Sequence, residues 1–308
     1  MTLKYLVTHS GGFHADELLS SVILTRLFPQ ASLVRSREHS WITAADDRII
    51  YDVGGHYDHQ ARIYDHHQRG APRRDTDQAF SSFGLIWRHY GRDYLKASGI
   101  PHQDIASVHA DFDESFVLPV DLVDNGELSP ATAGALSALT LPTLLETLKP
   151  VFDDSDADAE NRAFQHTLSI ARSFVEAKIA GLAAKLRAEA LVAEAIIKAG
   201  ADRILELPMG MPFRSAIVKA GAQHLLFVVH PRGSDWVITG IRRSDDGFDL
   251  RADLPAGWAG LSNGELEAVC GVTGASFCHK GRFIAAAQSR KAALAMADIA
   301  VAAALQQV

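Results

Sequence analysis

Residues 5–34 read YLVTHSGGFHADELLSSVILTRLFPQASLV, a short apolar run, a helical pattern and a second short apolar run. We predict strands at 5–7 and 32–34 with a helix at 17–28 between them, and a further strand at 48–53. Such alternation is typical of an α/β layer with a mainly parallel sheet. Ligands bind beyond the carboxyl ends of the strands in such sheets, so the polar residues after each apolar run are candidates for a site.

The remaining sequence predicts a connecting helix and a second domain. Between 155 and 200 apolar residues recur every three or four positions, which predicts one long helix or two helices that break near Gly181. After residue 200 we predict strands at 215–218, 225–229 and 236–241 and a helix at 289–305. We therefore expect a catalytic domain at 1–200, which includes the long helix, and a smaller α+β domain at 201–308.

The composition excludes several classes of protein. The chain has 308 residues, a formal net charge of −7 and 47% hydrophobic residues, which is typical of a globular protein without a broad basic face. The two cysteines, Cys270 and Cys278, cannot supply a disulfide framework. Because the N-terminus lacks the apolar stretch of a signal peptide and no 18-residue apolar run occurs, we expect a cytoplasmic protein without a membrane partner.

Histidine is unevenly distributed, since ten of the 14 histidines lie in the first 110 residues. Four places within the first 126 residues set His or Asp after an apolar run that we interpret as a strand. They are His9, His14 and Asp16; Asp52; Asp65, His66 and His67; and Asp121 or Asp124 after the run at 120–123.

Each of these places alone has an ordinary explanation. His14 and Asp16 are also typical of a helix cap or a solvated loop, and Asp52 before two glycines is also typical of a turn. Two adjacent histidines are common on surfaces, although Asp65 could orient one of the rings through its second nitrogen. Periodicity does not decide between Asp121 and Asp124, and we favour Asp124 because it directly precedes Asn-Gly.

Together the four places predict a metal centre. Oxygen and nitrogen ligands without thiolate suit Mn²⁺, Mg²⁺ or Fe²⁺, and also Zn²⁺. Two divalent ions bridged by Asp52 and a water would form a hydrolytic site, because the metals lower the pKa of the water and stabilise charge on phosphate.

The ordered motifs resemble the DHH phosphoesterase superfamily and, within it, the melanocyte-proliferating-gene (Myg) family. The matching segments are THSGGFHADE at 8–17, DVGG at 52–55, YDHHQR at 64–69 and VDLVDNG at 120–126. The segments LPAGWAGL at 254–261 and FCHKGRFI at 277–284 are similar to the family's C-terminal signature. The resemblance implies an α/β metal-binding domain, a joining helix and a smaller domain that closes over substrate.

The resemblance also implies roles for individual residues. One metal would be held by His9, His14 and Asp52, and the other by Asp16, Asp52, His66 and Asp124. His67 would face the scissile phosphate, so that Asp52, His66 and His67 are the expected catalytic residues. Many members of the superfamily have Asp where this chain has His14, and the nitrogen there alters the charge of the site. We expect Mn²⁺, with Mg²⁺ and Zn²⁺ as alternatives.

Substrate phosphates are expected to contact basic residues in both domains. The C-terminal domain lacks the glycine run of many relatives and offers His279, Lys280 and Arg282 in its place, with Arg290 as a further candidate. Arg35 and Arg37 follow the second predicted strand and could neutralise another phosphate.

The resemblance implies a metal-dependent 3′–5′ exonuclease that acts on RNA, and our hypothesis is that it hydrolyses RNA phosphodiesters by a two-metal, water-nucleophile mechanism. One alternative keeps the site and makes the substrate pyrophosphate or a small nucleotide. Another alternative is a non-catalytic, metal-stabilised adaptor for RNA or protein, although the ligands outnumber the four of a closed structural zinc site. The expected partner is a short single-stranded RNA or oligonucleotide, and a homodimer is left open.

Overall fold

A computed structural model describes residues 3–244 and 247–306. The chain divides into two compact units, residues 1–183 and 184–308. The division lies inside a long helix, and each unit contains its own five-stranded sheet.

The sheet of the first unit is mainly parallel, as the sequence predicts. Its strand order is β2-β1-β3-β5-β4, in which only β4 runs antiparallel to its neighbour. Val7, Ile50 and Ile63 lie on neighbouring parallel strands and form a buried apolar cluster. The strands are β1 (Tyr5–Thr8), β2 (Ser32–Arg35), β3 (Arg48–Tyr51), β4 (Tyr57–Asp58) and β5 (Ile63–Tyr64).

Helix α1 (Ala15–Leu27) follows β1 and is buried on all sides over its first ten residues. A helix surrounded by protein needs apolar residues around its whole circumference, and its few polar groups need partners. The hydroxyl of Ser21 meets this requirement, because it donates to the carbonyl of Glu17 and lies 2.6 Å from the hydroxyl of Tyr51. This burial fixes the first turn of α1, which carries Asp16 and Glu17.

Five further helices of the first unit complete its layers. The amphipathic helix α3 (Ser82–Ala97) packs against α1 and buries Phe83, Ile86 and Trp87. The other four are α2 (His39–Ile42), α4 (Ile105–Phe112), α5 (Leu118–Asp124) and α6 (Leu141–Glu146).

The apolar run at 120–123 is part of helix α5, so the prediction of a strand there was wrong. Pro119 comes two residues after a π-helical turn, Asp113–Val117, which runs without a break from α4 into α5 and already interrupts the regular α-helical hydrogen bonds. Asp124 is the last residue of this helix and therefore does not follow a strand.

Helix α7 (Ala159–Ala199) is continuous through Gly181, which decides between the one-helix and two-helix predictions. At 1.5 Å per residue its 41 residues span about 60 Å. Its first half buries Phe164 and Val175, and its second half contributes Val192 to an apolar cluster of the second unit. Among the described residues, no helix combines the length and apolar character that crossing a membrane requires.

The second unit is α+β, with strand order β6-β7-β8-β10-β9 and one parallel pair, β6 with β7. Small buried residues of α10, among them Ala293 and Ala297, pack in the apolar cluster with Phe227 and Ile238. The strands are β6 (Ile204–Glu206), β7 (Phe227–Arg232), β8 (Asp235–Gly240), β9 (Ala275–Cys278) and β10 (Ile284–Ala287). The helices are α8 (Arg214–Lys219), α9 (Asn263–Cys270) and α10 (Arg290–Leu305). The strand predicted at 215–218 was wrong, since those residues belong to α8.

Candidate metal centre

Three neighbouring parallel strands deliver side chains to one edge of the first sheet. His9 follows β1, Asp52 follows β3, and His66 comes two residues after β5. Because β1, β3 and β5 are adjacent and parallel, their carboxyl ends meet, as the sequence predicts. All three side chains are buried, with exposed fractions of 3%, 4% and 8%.

Asp52 lies at the centre of the cluster. Its Oδ2 is 3.1 Å from Nε2 of His9, and its Oδ1 is 3.1 Å from Nε2 of His66. The residue has a φ of 58°, in the left-handed region that residues other than glycine seldom adopt. Such a conformation costs about 1–3 kcal/mol and persists only where the surroundings impose it. The strained backbone turns both carboxylate oxygens of Asp52 toward the two histidines.

Glu17 is the member of the cluster that the sequence reasoning missed. Its Oε1 is 3.0 Å from Nε2 of His9, and its two carboxylate oxygens accept hydrogen bonds of 2.8 and 2.9 Å from the backbone N–H of His14. The signal in the sequence was its position three residues after His14, the N-cap of the helix, which is where a capping-box glutamate stands. That signal predicts a helix cap and gives no indication of complete burial beside a histidine.

His66 meets three carboxylates and one amide. Besides Asp52, its Nε2 lies 3.3 Å from Oδ2 of Asp124 and 3.7 Å from Oδ2 of Asp16. Its other nitrogen, Nδ1, is 3.2 Å from Oδ1 of Asn125. An amide oxygen at Nδ1 favours the tautomer that keeps Nε2 free for a metal.

Asp121 and Asp124, which periodicity could not separate, have different surroundings. Asp121 is fully buried and accepts hydrogen bonds from the Ser81 hydroxyl at 2.6 Å, from the backbone N–H of Gly84 and from the guanidinium of Arg74 at 2.6 Å. It therefore anchors the start of helix α3. Asp124 points to His66 and Asp16, so the structure brings Asp124 and not Asp121 to the cluster.

His67 lies at the exposed rim of the site, with 62% of its side chain exposed. Its Nδ1 is 2.7 Å from Oδ1 of Asp65, and this carboxylate also accepts the backbone N–H of Gly55 at 2.6 Å. Asp65 thus orients the ring of His67, which leaves Nε2 available to a substrate. The hydrogen bond to Asp65 raises the pKa of His67, with burial opposing it, and so favours the imidazolium.

Two clefts of about 460 Å³ each open beside the cluster. His14 and His67 line both of them, and Arg37 lines the one that also contains His9 and Asp52. His14 is exposed, and its ring centre lies 6.4 Å from that of His9. The clefts give solvent and a small ligand access to an otherwise buried set of carboxylates and imidazoles.

Carboxylates determine the charge of the two buried histidines. Burial alone would lower the pKa of His9, but its contacts with Asp52 and Glu17 raise it to about 10. Burial opposes the same shift at His66, where the hydrogen bond to Asp52 and the charges of Asp16 and Asp124 raise the pKa to about 10. Both rings are therefore in the protonated imidazolium form when no cation is bound.

The carboxylates of the cluster respond in opposite directions. Burial raises the pKa of Glu17 to about 8, and burial together with the charge of Asp16 raises that of Asp124 to about 9. The pKa of Asp52 is lowered despite burial, because His66 and His9 contact it. These protons occupy positions that a divalent cation would take, and metal binding releases such protons.

The side chains present fit divalent metal ions. Oδ1 of Asp16 is buried and has no hydrogen-bond partner among the described residues, although an unpartnered buried carboxylate oxygen is costly. In addition, there are four groups of three residues in which the ligand atoms of the group lie within 4.8 Å of one another. The groups are His9, His14 and Glu17; Asp52, His66 and His67; Asp16, His66 and Asp124; and Asp16, Glu17 and Asp52.

Arg35 and Arg37 have different surroundings. The guanidinium of Arg35 donates to the carbonyl of Gly11 and, at 3.1 Å, to Oδ1 of Asn161, and it lies 4.5 Å from the ring centre of Phe164. Arg35 thus holds the loop that carries His9 and His14 against the start of α7. Arg37 is exposed and donates to the carbonyl of Ser10 at 3.1 Å, at the wall of the cleft.

The predicted phosphate-binding residues of the C-terminal signature lie in the second unit. Arg282 forms an ion pair of 2.7 Å with Asp253, and His279 Nδ1 accepts the backbone N–H of Gly281 at 2.9 Å. Lys280 is exposed. Arg290 forms a bidentate pair with Glu206, with both contacts at 2.6 Å.

Several of the ten early histidines lie outside the cluster. The rings of His59 and His89 stack with their centres 3.8 Å apart, and Nε2 of His89 lies 2.7 Å from the hydroxyl of Tyr57. His109 stacks on Trp87 at 5.0 Å. All three take part in aromatic packing. His59 and His89 meet tyrosine hydroxyls and His109 meets the carbonyl of Trp87, whereas His9 and His66 meet carboxylates.

The sequence matches the MYG1 exonuclease family, described as an uncharacterised protein family (UPF0160), over residues 5–301. This chain belongs to the MYG1 family. A MYG1 protein of Schizosaccharomyces pombe is 31% identical over 318 aligned residues, which cover 96% of each chain. The human MYG1 exonuclease is 31% identical over 94% of this chain and 84% of its own.

Among solved structures, this MYG1-family chain is similar to RecJ of Thermus thermophilus in complex with Mn²⁺. The alignment covers 98% of this chain with a TM-score of 0.30 and 14% sequence identity. This chain spans about half the length of that RecJ chain, 52%.

Proposed function

We propose that this chain is a metal-dependent exonuclease of the DHH phosphoesterase superfamily that removes nucleotides from the 3′ end of RNA. The observation that carries the proposal is the position of Asp52, with one oxygen toward His9 and the other toward His66, each histidine bordered by further carboxylates. A carboxylate placed between two sets of ligands in this way can be shared by two divalent ions, which lie about 3.5–4 Å apart in two-metal sites. The human relative bears the name MYG1 exonuclease, which agrees with it.

The side chains divide into two ligand sets around Asp52. His9, His14 and Asp52 would hold one ion, and Asp16, Asp52, His66 and Asp124 the other. Oxygen and nitrogen donors suit Mn²⁺, which we propose, as well as Mg²⁺, Fe²⁺ or Zn²⁺. Glu17 is within reach of the first set. When bound, the two ions would lower the pKa of a shared water and stabilise negative charge on the phosphate.

The chain's own residues position the substrate. His67, held by Asp65, whose hydrogen bond raises the pKa of the ring, would donate from Nε2 to an oxygen of the scissile phosphate. Arg37 lies in the same cleft wall and adds a positive charge. We further propose that His279, Lys280 and Arg282 contact substrate phosphates, whereas the contacts of Arg35 with Gly11 and Asn161 favour a role in holding the loop at 9–14.

The size of the two clefts favours a chain end over the interior of a duplex. Each has about 460 Å³, which lies within the range of about 300–1,000 Å³ that small-molecule sites occupy. A terminal nucleotide fits such a space. A net charge of −7 also disfavours long duplexes, whose binding depends on many phosphate contacts.

The test is hydrolysis of a short 5′-labelled RNA by the purified chain in Mn²⁺, followed by product sizing. We expect a ladder of shortened products that Asp52→Asn and His66→Ala abolish, while Asp58→Asn, which changes an exposed aspartate of β4, leaves it intact. If Asp52→Asn or His66→Ala still produced the ladder, these residues would not be part of the catalytic site. Parallel assays on a 3′-labelled RNA, DNA and pyrophosphate separate direction and substrate, and phosphate release from pyrophosphate alone would contradict the exonuclease proposal.

A further inference from the structure

A cleft of about 710 Å³ lies in the second unit, where β8 ends and β10 begins. Its wall contains three arginines and two aromatic rings. They are Arg214, Arg242, Arg243, Phe248 and Phe283. Since ligand sites occupy about 300–1,000 Å³, the cleft can hold a nucleotide-sized group. We call it the Arg-Phe cleft.

The aromatic rings of the Arg-Phe cleft are unusually exposed. Phe248 is 83% exposed and Phe283 is 42% exposed. The row of rings continues past the cleft, because His279 lies 4.4 Å from Phe283 and 6.3 Å from Phe277 between ring centres. Neighbouring exposed aromatic rings indicate a binding surface. An unpaired base has a flat face that stacks on such rings, whereas the bases of a duplex are already stacked on each other.

The arginines supply charge next to these rings. The guanidinium of Arg242 lies 4.6 Å from the ring centre of Phe248, and guanidinium planes also stack on bases. Within residues 3–244 and 247–306, no carboxylate forms an ion pair with Arg214, Arg242 or Arg243. The ion pair at this wall joins Arg282 to Asp253 instead.

The acidic residues nearby limit the size of the ligand. Asp249 and Asp253 also line the cleft, beside its three arginines. Such a surface suits a few phosphates combined with stacked bases. It does not suit a duplex, which is bound mainly through its charge.

We infer that the Arg-Phe cleft binds a short single-stranded segment of nucleic acid, with bases on Phe248 and Phe283 and phosphates at Arg242 and Arg243. The inference rests on the proposed exonuclease function and names the form of its substrate. It adds a stacking surface to the residues of the C-terminal signature. An exonuclease that holds unpaired bases in this way acts on single strands in preference to duplexes.

The experiment measures binding without hydrolysis. The probe is a 5′-fluorescein oligouridylate with hydrolysis-resistant phosphorothioate linkages, titrated with the full chain in Mn²⁺ and followed by fluorescence anisotropy. We expect Arg242→Ala/Arg243→Ala to weaken binding about tenfold and to reduce the slope of log affinity against log salt by about 0.7 for each lost phosphate contact. Arg232→Ala, at the exposed end of β7, removes a similar charge and should leave binding unchanged.

A second pair of variants tests stacking. We expect Phe248→Ala to weaken binding about tenfold and Phe248→Trp to restore it, since indole also stacks on bases. Unchanged affinity in both the arginine and the Phe248→Ala variants would overturn the inference, as would tighter binding of a matched duplex than of the single strand.

A parallel assay on unmodified RNA separates the two proposals. Oligonucleotide binding that depends on the Arg-Phe cleft, without any hydrolysis, would contradict the exonuclease proposal and leave the binding inference intact. Hydrolysis that depends on Asp52, with binding insensitive to the cleft variants, would overturn the inference alone.

Discussion

Two groups of histidines lie near strand β5, and their surroundings shift the pKa of the imidazole in opposite directions. His66 follows the strand among carboxylates, and these contacts raise its pKa to about 10 against the effect of burial. His89 stacks on His59, which precedes the strand, and burial together with the charges of His59 and Arg88 lowers its pKa to about 4. Burial by itself makes an imidazole neutral, and carboxylate contacts reverse that. Carboxylate contacts therefore distinguish the histidines that can exchange a proton for a metal ion from those that take part in aromatic packing.

The largest effect is expected from removing the carboxylate of Asp52, which both buried histidines of the metal centre contact. Asp52→Asn takes away the charge that both buried histidines contact, so we expect hydrolysis of labelled RNA to fall by more than the roughly 10- to 100-fold that loss of an outer-shell partner costs. His89→Gln changes the other cluster and should leave the rate nearly unchanged. Equal loss in both variants would mean that the two clusters do not differ in function.

The second prediction separates the two aspartates of α5. Asp121→Ala breaks a buried ion pair with Arg74 and uncaps α3, so we expect about 3 kcal/mol less free energy of unfolding in urea titrations. Asp124→Ala should change stability by less than about 1 kcal/mol and abolish part of the Mn²⁺ binding seen by calorimetry. If Asp121→Ala left the protein stable and impaired Mn²⁺ binding, Asp121 and not Asp124 would be the metal ligand, and the prediction would be wrong.

The third prediction concerns the orientation of His66. Asn125→Ala removes the oxygen at Nδ1, and we expect Mn²⁺ affinity to fall about 10- to 100-fold, with Asn125→Asp restoring most of it. Tyr57→Phe removes the corresponding contact of His89 and serves as the matched control. Retained affinity in Asn125→Ala would show that Asn125 does not position the ligand.

The smallest expected effect is a pH dependence of stability. The pKa of His89 in the folded chain, about 4, is below its ordinary value of 6.5, so folding favours the neutral ring. Its contribution is complete above about pH 6.5 and is lost as the pH falls toward about 4. Because the ring is only half-buried, we expect the difference in unfolding free energy between wild type and His89→Gln to shrink by about 1 kcal/mol between neutral pH and about pH 5. A pH-independent difference would contradict the assignment.

Sequence reasoning reached the site where a single geometric rule applied. The strands before His9, Asp52 and His66 are parallel neighbours, and their carboxyl ends converge in any sheet of this kind. The rule did not cover α5, since an apolar run of a few residues does not separate a buried strand from a helix. Pro119 gave no help either, because it stands inside a helical stretch that continues from α4, where proline is ordinarily unfavourable.

Other features depended on packing that no local pattern contains. Glu17 is typical of an acidic first helical turn, and only the complete burial of α1 places it against His9. The contacts of Arg35 with Gly11 and Asn161 join segments far apart in sequence. Similarly, the histidines at 59 and 89 could be distinguished from those of the cluster only once their neighbours were known.

The central claim is that Asp52 is shared by two metal ions. Crystals grown with Mn²⁺ and measured at the manganese absorption edge test it most directly, because the anomalous signal locates the ions. We predict two peaks beside Asp52, one near His9 and the other near His66 and Asp124. A single peak, or peaks outside this cluster of carboxylates and imidazoles, would contradict the claim.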